Sequence, residues 1–395
     1  MNVKYNSEKP KKAKIIKIFN LSSKPIKRHN SLHKIYSSEK ENINIINMKN
    51  DVKEEKNELK NKELDFIFYK DLTNQSFADD FFSSFDNTFI VFTSINNIIY
   101  LIYASAEKSI ISYDLKNYQK ISEIKSAHDK YITNFRHIYD KKNKRDITFK
   151  VIMSVSALDN NLKIWNIYNW DCILELKNVN RTGVLYSSSF LYENENIYII
   201  TSNSNLLKRK EPIKIFNMSK EKLYEIKLDY SINFIDCYYE NILNQIYIII
   251  CTEKNVVSYD YKNKKIHNKY GKEKGSYYSI IVHKSNNNIE LIASNFNGII
   301  EIYDFNSGIE LTEIKINNSK GFFGICLWDK HNLLVASGDN TIKLINLEKR
   351  KLEKCLYGHS NYVTTIKKIY ITKFGDCLIS QGISSDSIKL WIPKN

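Results

Sequence analysis

The stretch Asp159-Asn160-Asn161-Leu162-Lys163-Ile164-Trp165-Asn166 reads as a polar break followed by a short strand ending on an aromatic residue and an asparagine. Leu162 and Ile164 alternate with Lys163, the period of two expected of a half-buried strand. Endings of the same kind stand at Tyr113-Asp114, Phe216-Asn217, Tyr259-Asp260, Tyr303-Asp304, Ile345-Asn346 and Trp391-Ile392. Including Trp165, their first members lie 52, 51, 43, 44, 42 and 46 residues apart. That spacing belongs to a repeat architecture.

From about residue 64 onward each repeat holds four short apolar runs broken by Asn, Asp, Gly, Ser and Lys. The second gives strands at Ile132 to Arg136, Phe149 to Ser154, Lys163 to Trp165 and Cys172 to Leu176. The sixth gives Phe323 to Leu327, Leu333 to Ser337, Thr341 to Ile345 and Leu352 to Leu356. Four antiparallel strands in about 45 residues make one propeller blade. One blade cannot bury both its faces, whereas a ring of blades covers each with its neighbours. The expected fold is all-β, a seven-bladed β-propeller of four-stranded antiparallel blades. Only four residues follow Trp391, so the seventh blade lacks an outer strand of its own. Asp65 to Lys70 is β-prone and is expected to supply it, closing the ring.

Residues 1–62 read as a largely disordered basic arm, and residues 63–395 as the propeller. Of a formal net charge of +15, residues 1–34 carry +9, from ten Lys/Arg against one Glu. Only six of the 59 basic residues are Arg, which gives little support to bidentate reading of phosphate or guanine. The lysine, asparagine and isoleucine content resembles that of an AT-rich coding sequence. No apolar run approaches the ~18 residues of a membrane span and no secretory core opens the chain, so a soluble intracellular protein is expected. The six cysteines form no C-x-x-C pair and are expected to be buried thiols. The eight histidines show no ligand spacing, so neither metal nor cofactor is expected.

These residues carry a resemblance to the WD-repeat (tryptophan-aspartate repeat) β-propeller family over about residues 64–395. The seventh repeat has Gly358-His359 and, at 387 to 391, Ser-Ile-Lys-Leu-Trp; the second has Ala127-His128 and the stretch to Trp165. The sixth runs from Ala336 through Asp339 to Asn346 with Ile345 in the tryptophan place. The resemblance implies a buried His, Ser/Thr, Asp and Trp network that stiffens each blade. Its matches here are His128, Asp159 and Trp165, then Ser337 and Asp339, then His359 and Trp391, with all four members clear in no repeat. Recurrence at blade-equivalent places makes these residues structural. No phosphate-cradling loop or G-x-S-x-G elbow occurs, so no enzyme is expected.

The resemblance also implies a binding face at the loops that join one blade to the next. Aligning repeats on His359 to Val363 places Tyr131, Tyr277, Phe322 and Tyr362 there, since large rings are favoured contacts. The insertion Asn203 to Pro212 adds Lys208, Arg209 and Lys210, a positive point for an acidic peptide. A second basic loop, Lys141 to Arg145, falls on the opposite face. The leading expectation is a non-catalytic scaffold for protein partners. A second reading is a nuclear, nucleic-acid-associated or ribonucleoprotein component using the arm, whose Lys9 to Lys14 cluster fits a nuclear import signal; otherwise the chain is cytoplasmic. A third is a cullin ubiquitin ligase substrate receptor, for which Tyr113-Asp114-Leu115-Lys116 and Tyr259-Asp260-Tyr261-Lys262 are the nearest strings. Adjacent arginines are absent, which disfavours phosphoinositide binding.

Overall fold

The computed structural model describes residues 64–394 except 74–88, 95, 106, 139–150, 157–158, 180–183, 195, 205–210, 241–242, 272–274, 286–287, 317–319 and 384–386. The described residues belong to one compact unit, residues 62–395. The basic arm with Lys9 to Lys14, the Lys141 to Arg145 loop, and Lys208, Arg209 and Lys210 lie outside the described residues.

Among the described residues 28 strands assort into seven four-stranded antiparallel sheets. Blade 1 is β2 (Phe89–Thr93), β3 (Ile99–Ala104), β4 (Ile110–Asp114) and β5 (Gln119–Ile124); blade 2 is β6 (Ile132–His137), β7 (Val151–Ser156), β8 (Asn161–Asn166) and β9 (Cys172–Leu176). Blade 3 is β10 (Val184–Glu193), β11 (Asn196–Ser204), β12 (Ile213–Asn217) and β13 (Lys222–Ile226); blade 4 is β14 (Ile232–Glu240), β15 (Gln245–Thr252), β16 (Val256–Asp260) and β17 (Lys265–Tyr270). Blade 5 is β18 (Tyr277–Ser285), β19 (Asn288–Asn295), β20 (Ile299–Asp304) and β21 (Glu310–Lys315); blade 6 is β22 (Phe322–Leu327), β23 (Asn332–Ser337), β24 (Ile342–Asn346) and β25 (Lys351–Leu356). Blade 7 is β26 (Val363–Ile371), β27 (Gly375–Gly382) and β28 (Ile388–Pro393), with β1 (Phe66–Asp71) as its outer strand.

Hydrophobicity follows depth within a blade. β15 is buried along nearly its whole length, because both its faces meet other blades, whereas β5 is mostly exposed or half-buried. The cores lie between sheets: Ile248 and Ile250 of blade 4 pack with Ile213 and Ile215 of blade 3. Inner strands touch in succession from β6 through β10, β14, β18 and β22 to β26, and β26 touches β2, which touches β6. Leu101 of blade 1 shares a cluster with Ile379 and Leu390 of blade 7.

The Asp or Asn that ends the repeats has a local physical cause. Asp114, Asn166, Asn217, Asp260, Asp304 and Asn346 each accept a backbone N–H two or three residues ahead, at 2.7–2.9 Å, and so build the turn into the outer strand. The seventh ending has Ile392 instead. The outer strand beside it is β1.

β1 pairs antiparallel with β28 from Phe66 opposite Pro393 to Asp71 opposite Lys389. It also repeats a detail of the other outer strands. In each of those, one residue bulges out of register opposite the end of the third strand: Ile121, Ile173, Leu223, His267, Leu311 and Glu353. In β1 that residue is Tyr69. Bulges twist an edge strand and blunt it against further pairing. Phe66, 5% exposed, packs edge-on against Trp328 at 4.8 Å, and Asp71 pairs with Lys389 at 2.7 Å.

The thiols divide. Cys237, Cys251 and Cys377 are buried, Cys326 and Cys355 are intermediate, and Cys172, at the start of outer strand β9, is exposed, contrary to expectation.

Candidate functional site: blade networks and the loop face

Blade 2 holds a complete four-residue network. Trp165 Nε1 donates to Ser154 Oγ at 2.8 Å, Ser154 lies 2.8 Å from His128 Nε2, and His128 Nδ1 lies 3.2 Å from Asp159 Oδ2. The arrangement that satisfies every atom runs Trp165 to Ser154 to His128 to Asp159, each donating to the next. Asp159 also accepts the backbone N–H groups of Asp129 and Asn161, at 3.2 and 2.9 Å. Blade 7 repeats the inner part, with Trp391 Nε1 to Ser380 Oγ at 2.7 Å and Ser380 to His359 Nε2 at 2.6 Å. Sequence reading missed Ser154 and Ser380, although both precede the tryptophan by 11 residues. That shared spacing was the available signal.

Register corrects the sixth repeat. Ser154 pairs with Lys163 and Ser380 with Lys389, but Lys343 pairs with Val335. Ser337 therefore sits two residues beyond the network place, and Val335 with Ile345 fills it with apolar packing. Asp339 instead organises a turn, accepting Thr341 Oγ1 at 2.6 Å and pairing with Lys343 at 2.5 Å. Burial pushes its carboxyl up, but the bonds from Lys343, Thr341 and Ser337 outweigh that and hold it below the usual carboxylate range.

Blade 5 rewires the same region around a carboxylate. Glu301 takes the place of Lys163, opposite Ala293 in the serine place. It accepts Tyr277 Oη at 2.6 Å, Tyr303 Oη at 2.7 Å and Asn295 Nδ2 at 3.3 Å. Burial first, then Glu301, pushes both phenols up.

Ser154, His128 and Asp159 resemble a hydrolytic triad in connectivity only. Ser154 is 0% and His128 1% exposed, and the hydroxyl that would attack already accepts Trp165. As placed, the Ser154 hydroxyl satisfies two buried groups at once. Ser154→Ala would leave a buried indole N–H and a buried imidazole nitrogen unpaired, and is expected to cost about 2–4 kcal/mol in urea unfolding. A loss below about 0.5 kcal/mol would sink the network as a stabilising element.

Because the strands alternate in direction, the loops between blades and the turns between second and third strands share one end of the molecule. Tyr131 is half-buried there and Tyr362 is exposed. Tyr277 and Phe322 are 0% exposed, so as contact residues they are corrected. Tyr277 pairs with Asn295 and Phe322 with Ser337, the register places that Ile132 and Val363 occupy opposite Ser156 and Gly382. The true counterparts of Tyr131 and Tyr362 are Ser276 and Gly321. A slip of one residue moved two rings from surface to interior.

Sequence reading also missed the rings that are most exposed at this end among the described residues. Tyr357 precedes blade 7, and Phe296 projects from the turn of blade 5 with its ring 6.0 Å from Tyr278 and 6.2 Å from Phe323. Gly321, at φ +49°, makes room for it: an added Cβ would stand 3.1 Å from the Phe296 ring. In the nearest ligase-type strings, Asp114 and Asp260 are taken up by their own turns, and Lys262 donates to Asn244 O.

No protein-family profile matches the chain, and no curated protein matches it. Fold and site together define its class, a β-propeller of four-stranded antiparallel blades. Among the described residues no helix is long and apolar enough to cross a membrane.

Proposed function

We propose that this chain is a non-catalytic interaction scaffold, a WD-repeat-type propeller whose seven sheets form one closed ring and whose loop face binds a protein partner. What carries the reading is the sector of that face over blades 5 to 7. Phe296 is 52%, Tyr357 75% and Tyr362 37% exposed, and their loops are joined through Gly321 against Phe296, Gly338 N–H donating to Lys320 O and Asn340 Nδ2 donating to Ser360 O. Rings held in place by packing offer large contact area at small entropic cost. Lys320, exposed beside them, adds a positive charge suited to an acidic rim on the partner.

The test is affinity purification of the tagged full-length protein with quantitative mass spectrometry. Phe296→Ala with Tyr357→Ala is expected to lower recovery of specific partners by about thirtyfold or more, the effect of losing hot-spot contacts. Leu243→Ser with Ile309→Ser, on the opposite end, is expected to leave it unchanged. The reverse outcome would place the binding surface elsewhere. Nuclear or nucleic-acid association through the arm, and ligase association, remain competing proposals; deletion of residues 1–62 tests the first by salt-dependent retention on nucleic acid.

A further inference from the structure

The inner strands carry one row of residues at a common register. In blade 2 the place after the serine's partner is Arg136, which pairs with Met153; in blade 7 it is Lys367, opposite Ile379; in blade 4 it is Asp236, opposite Ile249. These three, with Ser189 and the aliphatic Ile90 and Ile281 of the same row, line a central cavity of about 300 Å³.

The wall is electrostatically lopsided. Blade 1 lies between blades 7 and 2, so Lys367 and Arg136 stand on either side of Ile90, whereas Asp236 comes from two blades beyond Arg136. Arg136 is fixed: Nε donates to Ser188 O at 2.8 Å, Nη2 to Ile235 O at 3.2 Å, and the guanidinium lies 4.8 Å from the centre of the Phe234 ring. Among the described residues the side-chain ammonium of half-buried Lys367 makes no hydrogen bond or ion pair, leaving three N–H donors in the cavity wall. His137 registers the field. Burial, then Lys367 and Arg136, push its imidazole down to about 4, against the pull of Asp236, so it is neutral at pH 7.

We propose that this cavity binds a small phosphate-class oxyanion, with Lys367 as the direct ligand and Arg136 as a fixed source of positive potential. A cation with spare donors that shares a cavity wall with a second, immobilised cation makes a place where an anion is worth more than water. Two N–H groups of Arg136 are committed to backbone carbonyls, which weakens the case for a planar carboxylate gripped bidentately. The point charge of Lys367 suits a tetrahedral anion.

Isothermal titration of the full-length protein at fixed ionic strength tests this, with inorganic phosphate and pyrophosphate as probes and acetate as the carboxylate arm. Binding of phosphate or pyrophosphate, and weaker binding of acetate, is expected. Lys367→Met should weaken binding about tenfold or more, whereas Asp236→Asn, which keeps an acceptor for Cys237 N–H, should tighten it. Both variants are first checked for an unchanged unfolding midpoint, and Lys367→Arg, which keeps the charge, stands in if Lys367→Met fails to fold: it should retain binding. No binding to the wild type, equal affinity for acetate, or affinity indifferent to both the Lys367 and Asp236 changes would overturn the proposal.

Discussion

Raising the pH through 10 is expected to unfold the protein in one steep transition. Tyr103, Tyr238, Tyr259, Tyr270, Tyr277 and Tyr303 are all under 10% exposed, and burial raises the pKa of each phenol, that of Tyr103 to about 12 and the others further. Neighbouring groups add to burial at several, Glu240 at Tyr238 and Glu301 at Tyr277 and Tyr303. The sign follows from linkage. A folded pKa above the unfolded value of about 10 contributes stability that is complete below pH 10 and is lost as pH rises towards the folded pKa. Each such tyrosine removes about 1.4 kcal/mol per pH unit over that window. Six together would exhaust the ~5–15 kcal/mol of an ordinary domain within about one to two units. Phenolate absorbance and far-ultraviolet circular dichroism should change together. Gradual ionisation of these phenols in a protein that keeps its β signal would mean that they are not buried as described.

Removing residues 1–71 should destabilise the propeller far more than removing residues 1–62. The longer deletion takes β1, and with it the burial of Phe66 against Trp328, the Asp71 to Lys389 pair and the Lys354 to Asp65 pair. Phe66→Ala alone is expected to cost about 3–5 kcal/mol, as for truncation of a buried aromatic residue. Loss of the whole strand also bares the edge of β28 and should favour aggregation. Urea unfolding and light scattering of the two truncated chains decide the matter. Equal midpoints would show that β1 adds nothing to blade 7, and the closed ring proposed above would fall with it.

Much of the architecture was legible because strand endings recur at a fixed interval and because alternation marks the buried face. The strands placed in the second and sixth repeats match β6 to β9 and β22 to β25 to within two residues at either end. The binding face was less legible. Its aromatic residues begin the inner strands, where one residue separates exposed Tyr362 from buried Val363, and spacing alone does not set that phase. Ser154 and Ser380 were missed for a related reason: their shared spacing of 11 residues to the tryptophan is the one label a serine in an apolar strand carries before a histidine converges on it.

By itself the sequence determined the repeat, the four strands in each unit and the turns that Asp114, Asn166, Asn217, Asp260, Asp304 and Asn346 build, because those depend on neighbours a few residues away. The β-prone segment expected to complete blade 7 is also the one that does, as β1. Only the tertiary structure decided which polar side chains meet in the blade networks and which charges share the central cavity. Those depend on contacts between residues tens of positions apart or more, such as His128 with Ser154 and Arg136 with Ile235, where the pairing is set by how the sheets pack rather than by local pattern.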